Sequence, residues 1–79
     1  MKIEISEKKK LGKKIKLLRI DKDLTQEEMA HNIGAYRYQV SQWENGLQII
    51  PTKYLFEICQ KFDINLDYFD IYKKPQGGI

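Results

Sequence analysis

Apolar residues recur along most of the chain at intervals of three and four, the period of a helix with one buried side. Leu11, Ile15 and Leu18 form the first such stripe, set among lysines, and predict a helix over residues 6–22. Leu17 and Ile20 project from its opposite side, too much apolar surface for a purely solvated face. Either Ile3 and Ile5 or a second subunit is expected to cover them. The opening Lys2-Ile3-Glu4-Ile5-Ser6 alternates as a strand does, without a partner strand to pair with, and reads as an ordered arm or a frayed end.

Thr25 followed three residues later by Glu28 is a capping box, so a second helix begins there. Glu27 and Glu28 also suit its positive N-terminus. Met29, Ala30 and Ile33 supply the apolar face, and Gly34 ends the helix where a left-handed residue is needed. A third helix follows from Tyr36 or Arg37 to Glu44, with Val40 and Trp43 inward and Asn45-Gly46 as its stop. Pro51 suits the first turn of a fourth helix, whose buried stripe is Leu55, Ile58, Cys59 and Phe62. A short fifth helix is expected after Asn65 as cap, burying Leu66 and Phe69. Residues 73–79, with Pro75, Gly77 and Gly78, read as a loose tail. Residues 1–10 are then an arm and the start of the first helix, and residues 11–72 one all-α domain of five short helices.

Composition narrows what this bundle is for. Seventy-nine residues hold one modest core. The net charge is only +3, but nine of the fourteen basic residues lie between Lys2 and Lys22. That suits contact with phosphate, although a solvated helix face gives the same pattern. A single cysteine, Cys59, excludes an internal disulfide and a thiolate zinc cluster, and reads as a small buried hydrophobe. Without a membrane-length apolar run or a signal-peptide core, the chain is expected in the cytoplasm. The lone histidine, His31, falls on the exposed side of the second helix, with no nucleophile, paired carboxylates or phosphate loop beside it. Neither an enzyme nor a metal or cofactor site is expected.

Two helices joined by a three- or four-residue turn containing glycine have the general form of a helix-turn-helix. Counting from Gln26, Ala30 falls where the two helices touch, Gly34 at the tight turn, and Val40 and Trp43 where the second helix rests on the core. The segments Leu24-Thr25-Gln26-Glu27-Glu28-Met29-Ala30, Ile33-Gly34 and Val40-Ser41-Gln42-Trp43-Glu44-Asn45-Gly46 resemble the Cro/CI-type (XRE) helix-turn-helix regulators. The likeness runs from about Leu11 to Phe69. It implies a lambda-repressor-like fold and a sequence-specific regulator, a repressor, of double-stranded DNA.

The resemblance also assigns roles. Arg37, Tyr38 and Gln42 match positions that meet base edges in the major groove. Arg suits a bidentate pair with guanine, Gln the same with adenine, and the Tyr38 ring a thymine methyl. Gln26 and Asn45 match phosphate-fixing positions; Tyr36 and Ser41 are further phosphate candidates. Arg19 and Glu44 match a partly buried ion pair tying the first helix to the end of the third. Three departures stand out. Tyr36 replaces the usual capping Ser or Thr of the recognition helix. Asp23 replaces a common helix-ending glycine, at small cost because Asp tolerates positive φ. The loop Leu47-Gln48-Ile49-Ile50 lacks the Lys or Arg that often follows Asn-Gly.

One such domain reads only ~3–4 base pairs, so a homodimer on an inverted repeat is expected, its half-sites about one helical turn apart. Leu17, Ile20, residues 47–50 and residues 68–72 are candidate dimer surfaces. The alternative is a protein-interaction module of the same fold, an antitoxin or bridging factor whose partner is a toxin or antirepressor. Surplus apolar residues at Leu17, Ile20, Ile49 and Ile50 support it.

Overall fold

The computed structural model describes residues 3–72, the side chains of residues 7–69 among them. Four α-helices follow in order, α1 (Ile3–Asp21), α2 (Gln26–Ile33), α3 (Arg37–Glu44) and α4 (Thr52–Phe62), and a 3-10 segment, Leu66–Tyr72, closes them. No strand occurs among the described residues. The expected fifth helix is thus a 3-10 segment, and the tail at 73–79 lies outside the described residues.

The opening residues correct the first expectation. Residues 3–6 are the first turn of α1, which begins three residues before the helix expected from residue 6, and not a separate arm. An isolated alternating stretch leaves its backbone groups unpaired, whereas a helix satisfies them within itself. Ile5 and Leu17 therefore sit on one helix, about 18 Å apart along its axis. The arm cannot fold back over Leu17 and Ile20, which stay 52% and 51% exposed.

The stripe Leu11, Ile15 and Leu18 is buried as expected, together with Met29, Ala30, Ile33, Val40, Trp43, Leu55, Ile58 and Phe69. The larger aliphatic side chains and Phe69 each contribute about 1.5–3 kcal/mol on burial. Ile50 joins them at 4% exposure, which removes it from the apolar surface surplus. It precedes Pro51, whose extended backbone (ψ 148°) caps α4 from just outside, one place earlier than expected. Cys59 and Phe62 are only partly buried, packed at the edge of the core. Burial pushes the Cys59 thiol pKa up and keeps it protonated. Leu66 is 44% exposed rather than buried, because Ile64, in the preceding turn, packs on the core in its place.

The helix ends follow local chemistry. Thr25 Oγ1 accepts from Glu28 N–H (3.1 Å), and Glu28 Oε1 accepts from Thr25 N–H (2.9 Å), completing the capping box. Gly34 ends α2 with φ 76°, and Asp23 turns out of α1 with φ 61°. Asn65 Oδ1 accepts from Asp67 N–H at 2.8 Å and opens the last segment. Phe69 locks that segment down, and the Lys14 ammonium lies 5.2 Å from the Tyr68 ring centre.

Gly12 is the tightest point of the fold. It lies buried in the middle of α1, where a Cβ would overlap the carbonyl oxygen of Trp43 in α3. A glycine inside a helix costs about 1 kcal/mol relative to alanine. Here it lets α1 and the end of α3 touch backbone to backbone, which holds the orientation of α3 on the core.

Candidate nucleic-acid interface

The helix-turn-helix, α2 and α3, presents one edge of polar side chains over this core. The first turn of α3 stands clear of it: Arg37 is exposed, and Tyr36 and Tyr38 are 69% and 63% exposed. Their rings run side by side, 6.1 Å between centres and 10° from parallel. Gln42, one turn on, is half-buried and lines an open groove of about 250 Å³ with Tyr38, Gln39, Trp43, Gln48, Ile49 and Pro51. Tyr38 and Gln42, one turn apart, thus line the same groove, while Arg37 lies about 100° round the helix from Tyr38 and meets Gln26.

Tyr36 makes no side-chain cap hydrogen bond. The end is held instead by Gln39, whose Oε1 accepts from Tyr36 N–H at 2.9 Å. This is the return half of a capping box without its hydroxyl half. Gln39 was readable as the residue three places after the cap, but a tyrosine at the cap hides the pattern.

The opposite end of α3 is bound tightly. Arg19 Nε and Nη2 donate to the two oxygens of Glu44, at 2.7 and 3.1 Å, in a bidentate pair. Arg19 Nη1 also donates to the carbonyl of Leu24 at 2.7 Å. One guanidinium therefore ties α1 to α3 and to the loop before α2. The side chains are 13% and 2% exposed. The hydrogen bond to Glu44 raises the Arg19 pKa, overriding the desolvation that lowers it. A raised pKa makes this contribution fully present below the ordinary guanidinium value and lost only as pH climbs through the raised one. The Arg19 charge is thus constant through the neutral range.

Gln26 extends the network toward the reading edge. Its Nε2 donates to Glu44 Oε1 at 3.1 Å, which turns its Oε1 toward Arg37, whose Nη1 donates to it at 3.4 Å. A chain of side chains thus runs from the buried ion pair out to the first residue of α3. Near the other end Asn45 Nδ2 donates to Ser41 Oγ at 3.4 Å. Of the expected phosphate-contacting residues, Gln26 is brought beside Arg37, while Ser41 and Asn45 pair with each other. Tyr36 lies beside Tyr38. His31 is exposed on α2.

Two residues of this edge escape a reading by motif. Gly12 sets the seat of α3. Lys9 runs its stem across Gly46: a Cβ there would lie 2.8 Å from Lys9 Cγ and 3.3 Å from its Cα. Gly12 had one available signal, a lone glycine inside a helical pattern, which marks close backbone approach. Lys9 had none, being one lysine among many.

The helix-turn-helix family model matches residues 15–69, from the second half of α1 into the 3-10 segment. The chain is 46% identical over 61 residues to the antitoxin PezA of Streptococcus pneumoniae, covering 77% of this chain and 37% of that protein. It is 34% identical over 59 residues to an uncharacterized HTH-type transcriptional regulator of Rickettsia conorii, covering 75% of this chain and 47% of that one. The chain therefore spans less than half the length of either curated relative.

Proposed function

From the premise that the chain belongs to the XRE-type helix-turn-helix family, we propose that it is a sequence-specific regulator of transcription, a repressor, that places α3 in the major groove of double-stranded DNA. It acts in the cytoplasm as a homodimer on an inverted-repeat operator. One observation carries this reading: α3 is clamped by its C-terminal end while its first turn projects Arg37 and Tyr38 into solvent. A helix held in that way can offer base-reading side chains without rearrangement on binding. Residues 11–72 form the binding domain.

In this reading Arg37 takes a guanine edge, Gln42 an adenine edge, and Tyr38 a thymine methyl or an acceptor, each good bidentate pair worth about 1–3 kcal/mol of discrimination. Gln26, Tyr36, Ser41 and Asn45 fix phosphates and set register. Arg19 and Glu44 hold the geometry and touch no base.

Selection of binders from a random duplex library at ~150 mM salt tests it, since affinity means little without the salt stated. An enriched inverted repeat with half-sites about one helical turn apart is expected. Absence of any enriched motif overturns base readout by α3.

A second reading, a protein partner such as a toxin, draws on the antitoxin relative and on the exposed Leu17, Ile20, Leu47 and Ile49. The same residues are candidates for a dimer surface. Sedimentation with and without the selected duplex separates the two readings: two copies per duplex are expected, and one copy refutes the dimer. A copurifying partner without any DNA shift favours the second reading.

A further inference from the structure

We infer that Lys9 is a phosphate contact, the cation at the C-terminal end of the reading helix. This rests on the DNA-binding reading above and adds a residue from α1 to it. An eight-residue helix is about 12 Å long, the width of the major groove. When the first turn of such a helix meets the bases, its far end comes to the phosphate wall of the groove. In this chain that end is Asn45-Gly46, and the stretch that follows, Leu47-Gln48-Ile49-Ile50-Pro51-Thr52, carries no positive charge. Glu44 leaves no net charge there, since Arg19 neutralises it.

Lys9 fills the gap from outside the helix-turn-helix. Its Cα and Cγ pack over Gly46, which has φ 72° and no side chain to keep the lysine away. The residue as a whole is exposed. A lysine whose stem is laid on apolar or backbone surface holds its ammonium out in solvent at the stem's far end. Here the stem starts out across Gly46, the residue after Asn45, the exposed C-cap of α3, so the charge is carried at that end of the helix. The extension of α1 back to Ile3 puts Lys9 well inside the helix, so its backbone is ordered before DNA arrives.

Salt dependence tests the charge apart from the packing. Lys9→Met keeps the stem and removes the ammonium; Lys9→Arg keeps the charge. Binding of each to the selected duplex and to an unrelated duplex is measured across salt concentration, with Lys61→Gln, at the far end of α4, as charge control. For Lys9→Met the slope of log affinity against log salt is expected to fall by about 0.9, the share of one neutralised phosphate. Affinity for both duplexes should drop by the same factor, because phosphate contacts carry no sequence information. Lys9→Arg and Lys61→Gln should keep the wild-type slope, and thermal melting should be unchanged in all. A wild-type slope in Lys9→Met overturns the assignment and leaves Lys9 as packing over Gly46. Failure of the wild type to bind either duplex overturns the DNA-binding reading itself.

Discussion

The two ends of α3 are built in opposite ways. At its C-terminal end Gly12 admits the Trp43 carbonyl, Arg19 grips both oxygens of Glu44, and Lys9 crosses Gly46. At its N-terminal end Tyr36 gives no cap, Gln39 supplies half of one, and three successive side chains stand in solvent. A helix fully packed at both ends would be more stable and would have nothing to offer a ligand. One fixed at a single end keeps its direction while the other end stays free to bind. Binding surfaces generally come from the less stabilised parts of a fold, and here the division falls within one eight-residue helix.

Substitutions at the two ends should therefore separate stability from recognition. The largest effect is expected from Glu44→Ala, which leaves the Arg19 charge without its partner and releases Gln26. Chemical denaturation should show a loss of about 3–5 kcal/mol. An unchanged melting temperature would remove the ion pair from the scaffold. Gly12→Ala comes next: the new methyl must displace the Trp43 backbone, at about 1–3 kcal/mol, against the small gain in helix propensity. A net stabilisation in urea melts would show that α1 and α3 can move apart freely.

At the other end, Arg37→Ala should leave the denaturation curve within about 0.5 kcal/mol of wild type, since its one side-chain hydrogen bond, to Gln26, is long and exposed. Its cost should appear as relaxed preference at one base position. The smallest effect belongs to the cap. Tyr36→Ser restores the missing hydroxyl and should raise stability by about 0.5–1 kcal/mol by calorimetry. A loss there would mean that the stacked Tyr36 and Tyr38 rings hold the end more than a cap does.

The same division explains what was legible in the residues alone. The ends of α2 follow from local rules, since Thr25, Glu28 and Gly34 each act within a few residues of their partners. The buried stripes of α1, α2 and α3 follow from periodicity. The C-terminal seat of α3 was half legible: Arg19 and Glu44 follow from the family resemblance, whereas Gly12 and Lys9 meet partners far away in sequence. Propensity reads Gly12 as a weak spot, and only the contact reveals its purpose. The start of α1 at Ile3 is not legible, because five alternating residues do not distinguish an arm from the first turn of a helix. Ile50 has exposed neighbours, Leu47 and Ile49, and its burial beside Pro51 has no local sequence signal. The expected base and phosphate contacts rest on the resemblance; among them Tyr36, Arg37, Tyr38 and Asn45 are exposed and Gln26, Ser41 and Gln42 half-buried.

The division is tested most directly by measuring Arg37→Ala against the selected duplex and its single-base variants at fixed salt. Wild type should discriminate at each half-site position by about 1–3 kcal/mol. The variant should lose that discrimination at one position alone, with unaltered melting and an unaltered salt slope. Equal weakening on every duplex, or a fall in melting temperature of the kind expected for Glu44→Ala, would contradict base readout by the free end of α3.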